Sequence, residues 1–130
     1  MGNFSNAPLP EKVEAFYKRD VSKELALEAL TAIENVFEGR SYNSTLTGPS
    51  FKSYLELLER EDLVNAITDQ FVAVRSSIGG LNNNFYQQVI DNNNQLLLTY
   101  DVIQAAVPSL KTDMRQLFGV TIDFFDSDGD

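Results

Sequence analysis

A hydrophobic spacing of four and then three residues runs through the second half of this chain. It persists for about four heptads, which is typical of a helix that buries one stripe of its surface against other helices. Its members are Val89, Asn93, Leu96, Tyr100, Ile103, Val107, Leu110, Met114 and Leu117. This pattern predicts a helical bundle.

A second helix is predicted over residues 21–38. Asp20 or Ser22 can cap its start by accepting a backbone N–H bond, and Gly39 is suited to end it. We expect one broad apolar face, made of Leu25, Ala29, Leu30, Ala32, Ile33, Val36 and Phe37.

Two more helices are predicted over residues 50–59 and 61–78, meeting near Arg60. Pro49 is well placed near the start of the first, and Gly79 and Gly80 end the second. The apolar stripe of the first helix is Phe51, Tyr54, Leu55 and Leu58. That of the second is Leu63, Ile67, Phe71 (or Gln70), Val74, Ile78 and Leu81.

Pro108 interrupts the last helix. It removes one backbone donor, so it should kink or divide the helix near Ala106, and Gly119 should end it. The following segment, Val120 to Phe125, alternates weakly and has no strand to pair with, so we expect an extended tail. The predicted fold is therefore all-α, an antiparallel up-down helical bundle of about four helices with an extended C-terminal tail.

The bundle is predicted to occupy residues 21–130. Residues 1–20 are predicted to be a leader or linker. Their first ten residues include two prolines and two asparagines and show little periodicity. Within them, Glu11 to Arg19 could form a short helix.

Composition removes much of the usual chemistry of active sites. The chain has no cysteine and no histidine, so it has neither a thiolate nor an imidazole for a metal or for general base catalysis. We therefore assign no catalytic residue, no metal ligand and no cofactor to this chain.

The formal charge of the chain is −9, which opposes nucleic-acid binding and favours a cationic partner. No apolar run approaches the ~20 residues that span a bilayer, and the N-terminus lacks the pattern of a signal peptide.

The C-terminal DFFDSDGD looks at first like a calcium loop. With Gly129 at position 6 of an EF-hand, however, Phe124 falls where a carboxylate is required, and the sequence stops before the position-12 glutamate. An EF-hand is excluded. Looser calcium binding by Asp126, Asp128 and Asp130 stays open beside the more common alternative, a solvated acidic end.

Two runs of three asparagines carry different predictions. Asn82–Asn84 follows Gly79 and Gly80 and is typical of a loop that caps a helix. Asn92–Asn94 falls inside a predicted helix, with Asn93 on its apolar seam. A buried amide must be hydrogen-bonded, so Asn93 either specifies packing or faces a polar cavity, and packing is favoured.

The segment GPSFKSYL raises the question of an anion site. The N–H groups at Gly48 to Ser50 could receive an anion or a substrate carboxylate. The alternative is capping of the helix by Ser50 or Thr47, which is the more common role.

Four carboxylates, Glu24, Glu28, Glu34 and Glu38, include pairs four residues apart on the first long helix. Such pairs occur in di-metal bundles, but those bundles normally add Glu-x-x-His motifs, and this chain has no histidine. A solvated acidic face is the favoured interpretation.

Several stretches together resemble a known family. AIENVFEG at 32–39, TGPSFKSYL at 47–55 and KTDMRQLFGVTIDFFDSDGD at 111–130 are similar to the C-terminal half of the imelysin-like proteins, also described as insulin-cleaving membrane protease or iron-regulated proteins. The similarity extends from about Val21 to Asp130. Phe118, between Leu117 and Gly119, departs from the family's Leu-Gly-Val-Thr-Ile run.

The resemblance implies an all-helical protein of the bacterial cell envelope, either periplasmic or an outer-membrane lipoprotein. It further implies a site between two bundle-like halves, metal binding (iron or zinc), peptidase-like chemistry and a role in iron acquisition. The family signature, Gly-x-His-x-x-Glu, belongs to the N-terminal half, and this chain has no histidine to match it. The chain is thus expected to be either a C-terminal half or a short relative that lost the signature, and not an enzyme alone.

Within the resembling stretches, five polar residues are candidates for a ligand-binding role between the halves: Asn35, Tyr42, Ser50, Lys111 and Asp113. The expected partners are the N-terminal half of the same protein and a metal or peptide ligand. The alternative function is a non-catalytic acidic scaffold that binds a cationic partner.

Overall fold

Four α-helices form the body of the protein. The computed structural model describes residues 7–42, 44–108, 110, 111, 115 and 119. The helices are α1 (Ser22–Glu38), α2 (Phe51–Leu57), α3 (Glu61–Gly79) and α4 (Phe85–Pro108), preceded by two 3-10 turns at Pro10–Lys12 and Arg19–Val21. The described residues contain no strand, only a single antiparallel bridge between Arg40 and Thr47. The all-α prediction is confirmed, and so are the approximate bounds of the first three helices.

The central element is α3, which packs against all three other helices. Its buried residues are Leu63, Val64, Ile67, Phe71, Val74 and Ile78. They meet Leu30 and Phe37 of α1, Leu55 of α2 and Ala106 of α4 in the main core. The predicted stripe of α3 is therefore confirmed, and each other helix contributes one or two buried side chains to this cluster.

Side-chain contacts fix the up-down arrangement. The start of α1 lies at the end of α3, because Lys23 Nζ donates to the carbonyl of Gly79 at 3.3 Å. Near the other end of α1, the rings of Phe37 and Phe71 are 5.8 Å apart. Ser77 of α3 donates to Thr99 of α4 at 2.9 Å. Consecutive long helices are thus antiparallel, as predicted.

Only two of the seven residues predicted for the broad apolar face of α1 are buried. Leu30 and Phe37 lie in the core, with Ala26 and Leu27 packed beside them. The remaining members of that face are exposed: Leu25, Ala29, Ala32, Ile33 and Val36. The helix rotates by about 100° per residue, so a face this wide exceeds what α3 can cover.

The irregularity in α4 is at Asn92, which has φ −156° and ψ 71°. Near the predicted division at Ala106, α4 continues for two more residues and ends at Pro108 itself. Asn92 Oδ1 accepts from the backbone N–H of Gln95 at 3.2 Å, which makes it the N-cap of a second helical segment. Asn84 Oδ1 accepts from Gln87 N–H at 3.1 Å in the same way, as the first asparagine run predicted.

The buried side of α4 departs from the predicted seam after Leu96. Val89 and Leu96 of the predicted seam lie in the second apolar cluster. Beyond them Tyr100 and Ile103 are 44% and 38% exposed. Thr99 and Ala106 are buried instead. Val89 and Leu96 lie seven residues apart on either side of Asn92, so the heptad spacing is kept across the break. The predicted seam is wrong at Tyr100 and Ile103, whereas its later member Leu110 packs on the main core.

The segment before α1 packs on α4 through Val13, which is buried with Leu81, Val89 and Leu96. The guanidinium of Arg19 lies over the ring of Tyr86, 4.1 Å from its centroid. Where a short helix was considered over 11–19, the chain forms turns, with Ala15 at φ 56°.

The start of α3 carries a charged hydrogen-bonded pair. Arg60 donates to Asp62 through Nε at 2.8 Å and Nη2 at 2.9 Å. The hydrogen bond to Arg60 holds the pKa of Asp62 below its ordinary value. Asp62 therefore stabilises the folded chain at pH values above the pKa that it has in the unfolded chain. This contribution is lost as the pH falls through the lower pKa that Asp62 has in the folded chain.

The predicted tail, Val120 to Phe125, lies outside the described residues, and so do Met114 and Leu117 of the predicted seam. Among the helices described above, none is long and apolar enough to cross a bilayer.

Gly39 should not tolerate a side chain. Its φ is 71°, and a Cβ there would lie 2.6 Å from the carbonyl oxygen of Gly48. We expect Gly39→Ala to lower the free energy of unfolding by more than about 1 kcal/mol, measured by urea denaturation. The matched control is Gly79→Ala, whose Cβ would meet nothing within 4 Å. This control should be neutral or stabilising by up to about 1 kcal/mol, and equal effects at both positions would contradict the prediction.

Gln88 should contribute to stability through its buried amide. Its Oε1 accepts from Asn82 N–H at 2.7 Å, and its Nε2 donates to the carbonyl of Asn92 at 2.8 Å. Gln88→Ala leaves both backbone groups without this partner, so we expect a loss of about 1–3 kcal/mol in thermal or urea unfolding. Gln87→Ala, which removes an exposed bond to Asp91, should change stability by less than about 0.5 kcal/mol. A loss no larger at Gln88 than at Gln87 would refute this role.

Candidate functional site

Three of the five predicted site residues lie where α1 passes into α2. Asn35 is half-buried, and its backbone carbonyl accepts from Arg40 N–H at 2.8 Å. Tyr42 is 84% exposed in the loop. Ser50 is the N-cap of α2. The sequence predicted a shared role for these three, and the fold places them at one end of the molecule.

The loop between α1 and α2 is closed by backbone contacts at its base. Gly48 N–H donates to the carbonyl of Gly39 at 2.9 Å, beside the bridge between Arg40 and Thr47. Gly39 allows this approach because it has no side chain and adopts positive φ. The start of α2 is therefore held against the end of α1.

The other two predicted residues are not brought to this loop by any contact within the described residues. Lys111 is exposed beyond the end of α4. Its neighbour Leu110 packs on the main core, which also contains Phe37 of α1. Asp113 lies outside the described residues.

Ser50 has a structural role. Its Oγ accepts from Ser53 N–H at 3.0 Å, and Ser53 Oγ accepts from Ser50 N–H at 2.8 Å, which completes a capping box. The alternative of helix capping is thus confirmed. Since α2 has only seven residues and these N–H groups are already bonded, its start offers little to an anion.

A small cavity of about 200 Å³ lies beside Ser50. Arg40 and Lys52 supply two cations to its lining, and Glu38 and Glu56 supply two carboxylates. Arg40 is paired with Glu38. The charges are balanced, so the cavity has no clear preference for an anion or a cation.

A larger groove of about 450 Å³ lies between α1 and the end of α3. Arg75 lines it and donates to Thr31 at 3.1 Å and to Glu34 of α1. Lys23 lines the groove near the α3–α4 turn, where it donates to the carbonyl of Leu81 at 3.0 Å. The sequence contained no signal for this groove, because Thr31 and Arg75 meet only when α1 packs on α3.

Three carboxylates lie along the α1 side of the groove: Asp20, Glu24 and Glu28. Glu24 and Glu28, which we call the acidic row, are exposed, as predicted for a solvated face. The other two predicted carboxylates are paired, Glu34 with Arg75 and Glu38 with Arg40. Within the described part of the chain, no three His, Cys, Asp or Glu residues are grouped so that they could hold a metal ion. Asp126, Asp128 and Asp130 lie outside that part.

The acidic row borders an exposed apolar surface. We call this surface the α1 stripe, and it comprises Leu25, Ala29, Ala32 and Val36. These positions follow one another at intervals of four, three and four residues, so they lie on one side of the helix. Ile33 extends the stripe toward the core side and is 52% exposed.

The capping role of Ser50 gives a direct test. We expect Ser50→Ala to lower the free energy of unfolding by about 0.5–2 kcal/mol in urea denaturation, because α2 loses its first hydrogen bond, and Ser50→Asp to retain most of the stability. Ser76→Ala, an exposed serine of α3, should change it by less than about 0.5 kcal/mol. If Ser50 served only a ligand, its removal would leave stability unchanged.

No protein-family model, curated protein or solved structure matches this chain. The resemblance to the imelysin-like proteins therefore stays a prediction from the quoted motifs.

Proposed function

We propose that this chain is the C-terminal helical-bundle half of an imelysin-like cell-envelope protein. In this proposal it packs against an N-terminal half and helps to form a ligand or metal site for iron acquisition. The chain itself is a non-catalytic docking body. Its contribution is a surface and polar side chains at the edge of a shared site.

The observation that carries the proposal is the exposure of the α1 stripe. Leu25 is 45% exposed and Val36 is 64% exposed, although α1 already buries Leu30 and Phe37 on its core side. A helix on the surface of a bundle normally has one apolar stripe and a polar opposite face. A second apolar stripe on the same helix favours a second body packed against it.

The loop between α1 and α2 supports the same arrangement. Asn35, Tyr42 and Ser50 lie at the end of α1 where Val36 is exposed. A body seated on the α1 stripe would therefore lie near Asn35 and the loop. Of the three, Tyr42 has the side chain most available to a ligand, because Ser50 is used in capping.

The metal in this proposal, iron or zinc, belongs to the other half. The described residues do not provide a set of donors for it. The Gly-x-His-x-x-Glu signature that the resemblance implies would supply those donors. This chain's own part is to cover the site and to exclude water from one side of it.

A second candidate function is a non-catalytic acidic scaffold for a cationic partner. It is favoured by the formal charge of −9 and by the exposed acidic row. It needs neither a metal nor an N-terminal half. The experiment that tests the first proposal also separates the two.

The test is to add the candidate N-terminal half, carrying Gly-x-His-x-x-Glu, to this chain in trans. We expect the two to form a complex, and we expect Fe²⁺ or Zn²⁺ to bind more tightly to the complex than to either half, measured by isothermal titration calorimetry. Metal titrations of each half alone are the controls.

Three outcomes would count against the proposal. The absence of a complex contradicts it. Tight binding of a transition metal by this chain alone would show that the donors are here. A complex whose metal affinity equals that of the N-terminal half supports the scaffold function instead.

A further inference from the structure

We propose that the α1 stripe and the acidic row together bind a basic amphipathic helix. This inference rests on the proposed function, because it names the kind of surface that the second body presents. The partner helix would place apolar side chains on the α1 stripe and lysine or arginine side chains on Glu24 and Glu28.

The apolar part of the surface has the spacing of a helix-packing seam. Leu25, Ala29, Ala32 and Val36 repeat at four, three and four residues, the spacing by which one helix receives the side chains of another. The two alanines in the middle allow close approach of a partner backbone. Leu25 and Val36 at the ends, 45% and 64% exposed, offer side chains to pack against.

The charged part lies on the polar flank of the same stripe. At about 100° per residue, Glu28 lies about 40° from Ala32 around the helix axis, and Glu24 lies about 40° further on. Among the described residues, Glu24 and Glu28 form no ion pair, whereas Glu34 and Glu38 are paired with arginines. Two like charges four residues apart repel each other, so a cation placed between them is favourable.

The groove lies on the far side of the acidic row. Its volume of about 450 Å³ gives space for the end of a long side chain that crosses Glu24 and Glu28. The groove's own cations are directed elsewhere, since Arg75 is paired with Glu34 and Lys23 donates to backbone carbonyls at the α3–α4 turn. A lysine or arginine could lay its methylene stem across the row and place its charged end at the groove, beside Glu24 and Glu28.

Charge selects the partner. A second copy of this chain would bring a second acidic row and a further formal charge of −9 to the interface. An acidic or neutral helix could use the stripe alone but would gain nothing from Glu24 and Glu28. A basic helix satisfies both parts of the surface.

The test uses two designed helical peptides with the same apolar stripe, one flanked by lysines and one by glutamates. We expect the lysine peptide to bind this chain about tenfold more tightly, measured by fluorescence anisotropy at low salt, and the difference to shrink at high salt. The double variant Glu24→Gln/Glu28→Gln should weaken the lysine peptide about fivefold and leave the glutamate peptide unchanged or stronger. Leu25→Ser/Val36→Ser should weaken both peptides.

Matched controls come from α3. Asp69→Asn removes an exposed charge there, and Val72→Ser removes a side chain that is 62% exposed. Neither should change the affinity of either peptide. Circular dichroism and the melting temperature check that every variant keeps the fold, which is expected because all substituted side chains are exposed.

Equal affinity for the two peptides, or no binding of either, would overturn the inference. So would self-association of the chain that Leu25→Ser/Val36→Ser abolishes in sedimentation velocity, because the occupant would then be a second copy. The proposed function is judged separately. If the N-terminal half binds wild type and all these variants equally, the surface is wrong but the function stands, whereas no binding to wild type refutes the function.

Discussion

Burial of the apolar stripe of α3 is the constraint on which the rest of the structure depends. Leu63, Ile67, Phe71, Val74 and Ile78 recur at helical spacing, and each other helix packs its own apolar residues on them. Removing this surface from water is the largest favourable contribution to such a fold. It also explains what stays outside, because α1 can turn only one side toward α3, and the α1 stripe is left exposed.

Asparagine caps determine how α4 follows that core. Asn84 and Asn92 are each followed three residues later by glutamine, and each accepts the backbone N–H of that glutamine. Gln88 and Gln95 then tie the α3–α4 turn to the irregular residue, since Gln88 accepts from Asn82 and Gln95 donates to the carbonyl of Gly80 at 2.9 Å. The helix is thus two capped segments, joined by the buried amide of Gln88 and the half-buried amide of Gln95. The break between them is stabilised by its own hydrogen bonds.

On the described surface, the polar side chains and the exposed apolar side chains differ in whether they have partners within the fold. The polar residues with the clearest geometry have structural partners, as Ser50 does in its capping box and Arg75 does with Glu34. One exposed part of the described surface is the α1 stripe, which lies beside the two carboxylates of the acidic row. We propose that this surface binds another helix, and the proposed function places that helix in the second half of a larger envelope protein.

Hydrophobic periodicity predicted the helices and the core of α3, and the short loops between the helices predicted their antiparallel order. The end of α1 at Gly39 and the capping of α2 at Ser50 could also be predicted from the sequence, since both depend on local backbone chemistry. The break at Asn92 had a local signal, Asn-x-x-Gln, which a heptad count through the same residues obscured. Only the tertiary structure decided which residues of the α1 apolar face are buried, and only it brought Thr31 and Arg75 together in the groove. The physical reason is that a helix surface does not specify how many neighbours will cover it, whereas packing on α3 does.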